Sequence, residues 1–276
     1  MPARRQRISL VTGGSGLLGS RLVRRLLADG HKVRVLDTRY GELGNVKTRR
    51  NLEFVGVGAS DLHGGMVDMG IVDEATRDVS VVYHLAVNWD GSTWRHTLTV
   101  PDLFDANLRG TFNLLEASRS HNVKHFLFSS SAAVYGETQR TISQSQSSTK
   151  HLTDEGSACK PYIWDGDPGP SYAILKLALE NLCLMYHHRY GLQVTAFRIE
   201  YIFTNQGQLD DGANIHVDDV VQAFMLATLN RKAYGEIFNI AYSAPYLSTR
   251  KIQNILGWKP HATKEFLETK PAGVRS

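Results

Sequence analysis

The chain has few cysteines and lacks any apolar run of the ~20 residues that cross a membrane. Its two cysteines, Cys159 and Cys183, lie far apart, and neither belongs to a CxxC or a His-bearing metal spacing. Two distant thiols in 276 residues argue against a disulfide scaffold and indicate a reducing compartment. The basic N-terminus passes into strand-like sequence without the apolar core of a signal peptide. We therefore expect a cytoplasmic protein with no metal site and no membrane partner.

Positive charge is in slight excess but is not concentrated in one stretch. The formal net charge is +4 and the composition, at 42% hydrophobic and 21% charged residues, is that of an ordinary globular protein. No basic stripe with interleaved aromatic residues is present, so the sequence does not predict nucleic-acid binding. Attraction for an anionic cofactor or substrate is the simpler reading of the charge.

Apolar runs alternate with amphipathic segments along the chain. This order is typical of βαβ units and predicts an α/β fold: a doubly wound, Rossmann-like parallel sheet with a small C-terminal substrate lobe. We expect one domain over residues 1–276, with the lobe formed mainly by residues 200–215 and 242–276. Strands are predicted at Ile8–Gly13, within Asp29–Asp37, and at Leu52–Val57, Val79–Val87, Val123–Ser131, Leu192–Ile199 and Gly235–Ala241. Helices are predicted after Gly16 and at Pro101–His121, Tyr172–Tyr190 and His216–Asn230.

Three glycines, Gly13, Gly16 and Gly19, recur every third residue between the first strand and the first helix. Such a turn lets the backbone approach a pyrophosphate, which the N–H groups of the helix start then bind, here with Leu17 and Leu18 among the contacts. A plain turn of small residues is the alternative for an isolated match. Its position after a strand and before a helix favours dinucleotide binding.

Two later positions refine the choice of cofactor. Asp37 ends the second strand, where a carboxylate binds the ribose hydroxyls of a dinucleotide and repels a 2′-phosphate, which favours NAD over NADP. Arg39 weakens that preference if it faces the ribose, although a solvated arginine fits the position equally well. Asp61 and Leu62 follow the third strand and either contact the adenine or form a surface turn.

A tyrosine and a lysine lie four residues apart at the start of a long predicted helix. This spacing puts Tyr172 and Lys176 on one helix face. A nearby ammonium lowers the pKa of a phenol, so the pair is suited to proton transfer while a hydride moves to a nicotinamide. An isolated YxxxK string is more often a solvated helix face. Ser129, Ser130 and Ser131 end the fifth strand, at the sheet edge where ligands bind, and Ser131 can hydrogen-bond the reacting oxygen. Capping of the turn is the alternative role for these serines.

Six strings occur in the order found in one protein superfamily: TGGSGLLG, VYHLAV, NLRGTFNLLEA, FSSSAAVYG, PSYAILK followed by Glu180, and HVDDVVQA. With them the sequence resembles the extended short-chain dehydrogenase/reductases, in the NAD-dependent epimerase/dehydratase branch, over nearly its whole length. The resemblance implies that Tyr172 is the catalytic acid/base, Lys176 its partner and Ser131 the catalytic serine.

The same resemblance implies further cofactor contacts. Ala86 and Val87, after the fourth strand, are expected to line the cofactor path. Asn107 is expected to have a structural or water-relay role in the following helix. The implied cofactor is NAD, and the paired helices of related proteins make a homodimer possible.

The sequence departs from the family pattern in three places. Ser131 and Tyr172 are separated by an insertion, with a polar loop at Thr138–Ser157 and a stretch at Ala158–Pro170 that is either a substrate lid or a surface loop. Tyr201 and the Thr204–Asn205 pair replace the usual asparagine and glycine-proline turn. The segment between Phe203 and His216 is short, as is the tail. This trimmed plan is similar to that of uronate dehydrogenases, which oxidise free sugar acids.

One loop offers candidate substrate contacts. Trp89 and Trp94 can stack on a sugar face and Arg95 can pair with a carboxylate. Burial of the two tryptophans under a lid is the alternative.

The sequence therefore predicts an NAD-dependent oxidoreductase that transfers a hydride reversibly at a secondary alcohol of a sugar or sugar acid. A nucleotide-sugar 4-epimerase without net redox change is one alternative. A non-catalytic NAD-binding regulator is another, and the complete Ser131, Tyr172 and Lys176 set argues against it.

Overall fold

A seven-stranded parallel sheet forms the centre of the protein. The computed structural model describes residues 8–59, 65–88, 100–136, 152–161, 170–204, 215–242 and 247–262. The strands of the sheet are β1 (Ile8–Thr12), β2 (Lys32–Leu36), β3 (Leu52–Val55), β4 (Val79–His84), β5 (His125–Ser131), β6 (Val194–Ile199) and β9 (Ile237–Ile240), while β7 (Ile202–Phe203) and β8 (Ile215–His216) pair separately. Across the sheet they run in the order β3-β2-β1-β4-β5-β6-β9.

Helices connect the strands and cover both faces of the sheet. They are α1 (Leu17–Ala28), α2 (Met69–Thr76), α3 (Val100–Phe104), α4 (Gly110–Ser120), α5 (Pro170–Tyr190), α6 (Val217–Leu229) and α7 (Arg250–Leu256). One π-helical turn, Asp105–Arg109, joins α3 to α4. Short 3₁₀ turns lie at Gly41–Leu43, Ala132–Tyr135 and Arg231–Ala233.

The strand order reverses between β1 and β4, and this reversal places the functional site. Chains leaving neighbouring strands there turn to opposite faces, which opens a crevice at the carboxyl ends of the strands. The glycine turn after β1 and the serines at the end of β5 both lie at this carboxyl edge. The predicted doubly wound, Rossmann-like sheet is confirmed.

Each face of the sheet has its own apolar core. On β6, Val194 and Ala196 pack in the core that includes residues of α4 and α5, whereas Phe197 and Ile199 pack in the core that includes residues of α1 and α6. This alternation follows from the period of two along a strand. All six β6 residues are buried, as expected for an internal parallel strand covered on both sides.

The helix predicted at Pro101–His121 is present but interrupted by the π turn. Asn107, inside that turn, donates from Nδ2 to the Leu103 and Asn88 carbonyls, both at 2.7 Å. Single π turns within helices often occur at functional sites. The apolar periodicity predicted the helix, but it contains no signal for the change from α-helical to π-helical hydrogen bonding.

The described C-terminal residues pack into the main core. The Trp258 side chain is fully buried and its Nε1 donates to the Asp219 carbonyl at 2.9 Å. Ile252 and Leu256 of α7 join the same apolar cluster as α1 and α6. The predicted separate lobe stays a prediction, since much of residues 200–215 and 242–276 lies outside the described residues.

Part of the inserted polar segment lies along the free edge of β9. Thr153 forms a parallel bridge with Leu247, and the Ser248 N–H donates to the Thr153 carbonyl at 2.8 Å. Glu155 Oε1 accepts the backbone N–H of Asn239, in β9, at 2.8 Å. Residues 152–155 therefore cover a sheet edge, and an uncovered edge is prone to pair with other chains. The possible lid at Ala158–Pro170 lies mostly outside the described residues.

Candidate active site

The glycine turn has a distinct steric reason for each of its three glycines. Gly13 has φ +65°, and a Cβ there would lie 2.8 Å from Ala86 Cα. A Cβ on Gly19 would collide with the Gly13 carbonyl oxygen, so this glycine lets α1 pack against the turn. A Cβ on Gly16 would meet only the Gly13 oxygen, at 3.5 Å. Gly16 is exposed, so its missing side chain leaves room for a ligand rather than for the protein.

The N-terminus of α1 has the features of an anion-binding site. Gly16 is its N-cap, and in the described structure no side chain caps this helix and no acidic residue occupies its first turn. The N–H groups at a helix start carry partial positive charge, so a pyrophosphate fits this end of α1, beside Leu17 and Leu18. Leu17 is exposed, whereas the Leu18 side chain packs in the core.

Asp37 lies beside this turn, as the sequence predicts. Its Oδ2 accepts the Ser15 backbone N–H at 3.0 Å, and the Ser15 hydroxyl donates to the Arg39 carbonyl at 2.7 Å. These bonds hold the carboxylate next to the place where a dinucleotide ribose would lie. Together with the glycine turn, they make a site whose shape and charge fit NAD.

The residues expected to line the cofactor path surround the end of β4. The Ala86 N–H donates to Thr12 Oγ1 at 3.2 Å, which ties the chain after β4 to the end of β1. Asn107 Oδ1 accepts the Asn88 N–H at 2.9 Å, which fixes the chain one residue beyond Val87. The Asn107 side chain therefore joins the π turn to the chain that follows β4.

Ser131 and Tyr172 are brought together across the insertion. Ser131 Oγ accepts the Ala133 N–H at 3.2 Å and forms a hydrogen bond with the Tyr172 hydroxyl. Because Oγ already accepts one bond, its own proton is available to the Tyr172 oxygen. The 40 residues between Ser131 and Tyr172 gave no sequence signal for this contact beyond the family motif.

Lys176 lies one turn further along α5, and its side chain is buried. Its Nζ donates to the Ser129 carbonyl at 2.7 Å and lies 5.7 Å from the centre of the Tyr172 ring. Burial lowers the pKa of the Lys176 amine to about 7. This group is thus poised between its charged and neutral forms near neutral pH.

The expected lowering of the Tyr172 pKa by the lysine is wrong for this arrangement. Burial raises the pKa of the Tyr172 phenol to about 12, and the bond with Ser131 only partly opposes this rise. The Lys176 ammonium is directed at the Ser129 carbonyl rather than at the phenol. Tyr172 is therefore held as a protonated donor next to Ser131.

His84 is a polar residue of this site that sequence reasoning missed. Its ring is buried, with Nδ1 2.8 Å from Thr12 Oγ1 and Nε2 2.8 Å from Thr111 Oγ1. Burial, with a smaller effect of the Lys176 charge, lowers the pKa of His84 to about 3, so the ring is neutral. It links β1, β4 and α4 beneath the cofactor path. A histidine in the otherwise apolar VVYHLAV run was the available signal.

Several predicted contacts cannot be placed. Asp61, Leu62, Trp89, Trp94 and Arg95 lie outside the described residues. Within the described ranges, no group of three His, Cys, Asp or Glu side chains is arranged to hold a metal. Nor does any described helix combine the length and apolar character needed to cross a membrane.

A Rossmann-type sheet, a glycine turn with a ribose-binding acid, and a Ser–Tyr–Lys set at the end of β5 define the class of NAD-binding short-chain dehydrogenase/reductases. A family model described as the NAD dependent epimerase/dehydratase family matches residues 9–213. The chain belongs to this family, and the predicted family and NAD cofactor are confirmed.

Curated relatives include two sugar-nucleotide epimerases. GDP-mannose 3,5-epimerase 1 from Oryza sativa subsp. indica is 29% identical over 205 residues, which cover 73% of this chain and 48% of the relative. UDP-glucose 4-epimerase from Halalkalibacterium halodurans is 29% identical over 236 residues, which cover 84% of this chain and 60% of the relative. The chain thus spans about half the length of the first relative and less than two thirds of the second.

Solved structures share the fold over nearly the whole chain. A mutated uronate dehydrogenase is 25% identical, with a TM-score of 0.72, over 98% of this chain and 88% of that one. UDP-glucose 4-epimerase from Thermotoga maritima is 23% identical, with a TM-score of 0.71, over 92% of this chain and 94% of that one. At 23% identity, the match to the Thermotoga maritima structure supports a shared fold and nothing more.

Proposed function

We propose that this protein binds NAD and transfers a hydride reversibly at a secondary alcohol of a sugar or sugar-acid substrate. The observation that carries the proposal is the meeting of Ser131, Tyr172 and Lys176 at the carboxyl end of β5. The three side chains share one edge with the glycine turn, where the strand order reverses. A substrate oxygen in that crevice would lie between a hydroxyl donor and the cofactor.

The residues divide the proton chemistry between them. Ser131 would hydrogen-bond the reacting oxygen and Tyr172 would exchange its proton with it. Lys176, held by the Ser129 carbonyl, would orient the nicotinamide ribose. NAD, when bound, supplies the hydride acceptor and a positively charged ring. Because the Tyr172 pKa is about 12 without it, the phenolate form depends on charge brought to the site.

A small substrate fits the short chain between β7 and β8. Only residues 204–214 separate these strands, and a longer segment there is usual in family members that hold a nucleotide. The likeness to a uronate dehydrogenase over 98% of the chain supports the same choice. We therefore favour net dehydrogenation of a free sugar or sugar acid.

A sugar 4-epimerase is the second candidate, since curated relatives at 29% identity are sugar-nucleotide epimerases. In that case the same residues would act, but the hydride would return to the opposite face of the substrate. The catalytic set alone suits both outcomes, because both begin with oxidation of a secondary alcohol.

A substrate screen separates the two candidates. The purified protein is incubated with NAD and a panel of free sugars, sugar acids and nucleotide sugars. Growing absorbance of NADH at the nicotinamide band supports the dehydrogenase, and an isomerised sugar without NADH supports the epimerase. NAD binding without either product from any substrate would favour the non-catalytic alternative and overturn the proposal.

A further inference from the structure

Three consecutive serines at the end of β5 contact three successive turns of α5. The Ser131 hydroxyl bonds Tyr172, and the Ser129 carbonyl accepts from Lys176 at 2.7 Å. The third contact, from the Ser130 hydroxyl to Glu180 Oε2 at 2.7 Å, plays no part in the chemistry proposed above. Residues 172, 176 and 180 share one helix face because they are spaced by four.

Glu180 is a buried carboxylate with both oxygens engaged. Its side chain is 1% exposed, and Arg198 on β6 donates to it from Nη2 at 2.6 Å and from Nε at 3.1 Å. The Arg198 side chain is itself only 5% exposed. A bidentate Arg–carboxylate pair of this kind fixes the relative orientation of the two side chains as well as the distance between them. It holds α5 at a defined height on β5 and β6.

The same ion pair contacts the chain on both sides of the catalytic serine. Ser130 precedes Ser131 and bonds Glu180, while Tyr135, in the 3₁₀ turn that follows Ser131, receives Arg198 Nη1 on its hydroxyl at 2.8 Å. The Tyr135 hydroxyl is in turn 2.8 Å from Asn239 Oδ1 on β9. The position of Ser131 relative to α5 is therefore set from both sides.

Buried ion pairs contribute little net stability compared with apolar side chains of similar size, so their value is often geometric. Here the ion pair would fix two distances, one from Ser131 to the Tyr172 hydroxyl and one from the Ser129 carbonyl to the Lys176 amine. Small displacements of reacting groups cost large factors in rate. An apolar contact at position 180 would allow α5 to slide, whereas hydrogen bonds of fixed length do not.

We infer that Glu180, locked by Arg198, is a positioning residue that holds the acid–base pair of α5 against the end of β5. The inference rests on the proposed function for its consequence in catalysis. Its geometric part, the placement of the Lys176 amine on the Ser129 carbonyl, does not depend on any substrate.

Ser130→Ala tests the inference with little risk to folding, because it removes one bond to Glu180 and leaves the ion pair intact. We expect kcat to fall about tenfold, with the KM for NAD within about twofold of the wild-type value. Ser118→Ala is the matched control: this serine is also buried, but its hydroxyl donates to the Leu114 carbonyl of its own helix, at 2.6 Å. It should leave kcat unchanged.

A second readout needs no turnover. The pKa of Lys176, about 7 in the native site, is followed by NMR of lysine labelled at Cε, with Lys176→Arg to assign the signal. Loosening of α5 in Ser130→Ala should let water reach the amine and move this pKa upward towards its ordinary value. Glu180→Gln, monitored for folding by thermal unfolding, should shift it in the same direction.

The outcomes separate this inference from the proposed function. If wild-type protein turns over no carbohydrate, the proposed function fails, and the Lys176 titration still decides the positioning role. If Ser130→Ala matches Ser118→Ala in both kcat and the Lys176 pKa, then Glu180 only stabilises the fold and the inference is overturned.

Discussion

The two sides of the carboxyl edge are built by different means. On the cofactor side, between β1 and α1, the site consists of backbone and glycines, with the Asp37 carboxylate beside the turn. On the proton-transfer side, between β5 and α5, it consists of ionisable side chains, with Lys176 and Glu180 almost fully buried. The first side needs empty space for a ligand, and the second needs fixed groups in a dry environment.

The difference also lies in how far along the chain the contacts reach. The glycine turn and Asp37 fall within residues 13–37, and the bond from the Ser15 N–H to Asp37 spans 22 positions. On the other side, Ser129–Lys176 and Ser130–Glu180 span 47 and 50 positions. One side is thus a local feature of one βαβ unit, and the other is assembled only when the sheet forms.

Tyr172→Phe should have the largest effect and should act on the proton-transfer side alone. It removes the hydroxyl that exchanges the proton but keeps the ring, so kcat should fall by about 10²–10⁴. The dissociation constant of NAD, measured by calorimetry, should stay within about threefold of the wild-type value. Retained turnover with NAD bound would remove Tyr172 from the mechanism.

The first side of the site was predictable from sequence because its signals are local. The spacing of Gly13, Gly16 and Gly19 and the position of Asp37 indicated the turn and the acid without knowledge of any distant residue. The strand and helix pattern likewise indicated the sheet, although β4 ends at His84, three residues earlier than predicted.

For the proton-transfer side, the sequence predicted which residues take part but not how they contact one another. The motifs named Ser131, Tyr172 and Lys176, but the direction of the Lys176 amine depends on its long-range contact with Ser129. The effect of burial on the Tyr172 pKa depends on everything packed around it, which a motif does not contain. The roles of His84 and of the Glu180–Arg198 pair could not be predicted for the same reason.

Gly19→Ala should damage the cofactor side next most strongly. Its methyl group would collide with the Gly13 carbonyl, so the turn must open, and we expect the free energy of unfolding to fall by about 1–3 kcal/mol. NAD affinity should fall at least about tenfold, since the turn no longer fits a pyrophosphate. Chemical denaturation and calorimetry measure the two effects.

Gly16→Ala is the matched variant within the same turn. Its methyl group would meet only the Gly13 oxygen, at 3.5 Å, an ordinary contact distance. Stability should therefore stay within about 0.5 kcal/mol of the wild-type value while NAD affinity falls. Equal loss of stability in both variants would contradict the separate roles assigned to the two glycines.

The opposite end of the sheet offers a smaller test, based on pH. His125, at the start of β5, is buried, and burial lowers its pKa to about 3, well below the ordinary value of about 6.5. As the pH falls through this window the unfolded chain takes up the proton first, so the folded state loses stability. From pH 7 to pH 5 this histidine should cost about 2 kcal/mol.

His125→Phe should remove that loss and keep the packing. The Tyr234 ring meets the His125 ring edge-on at 4.7 Å, a contact that phenylalanine can preserve, and the Thr195 hydroxyl still donates to the Ala233 carbonyl at 2.6 Å. Urea unfolding at pH 7 and pH 5 measures the difference. The same pH dependence in wild type and variant would show that His125 does not contribute to acid sensitivity.

The smallest expected effect concerns the choice between NAD and NADP. Asp37→Asn keeps an oxygen that can accept the Ser15 N–H but removes the negative charge that would repel a 2′-phosphate. We expect the preference for NAD over NADP, measured as the ratio of the two dissociation constants, to fall about tenfold. Proton transfer should be untouched, because Asp37 lies on the cofactor side and Tyr172 on the other, so kcat with saturating NAD should not change. A fall in kcat at saturating NAD would mean that the two sides of the edge are coupled through the bound cofactor rather than independent.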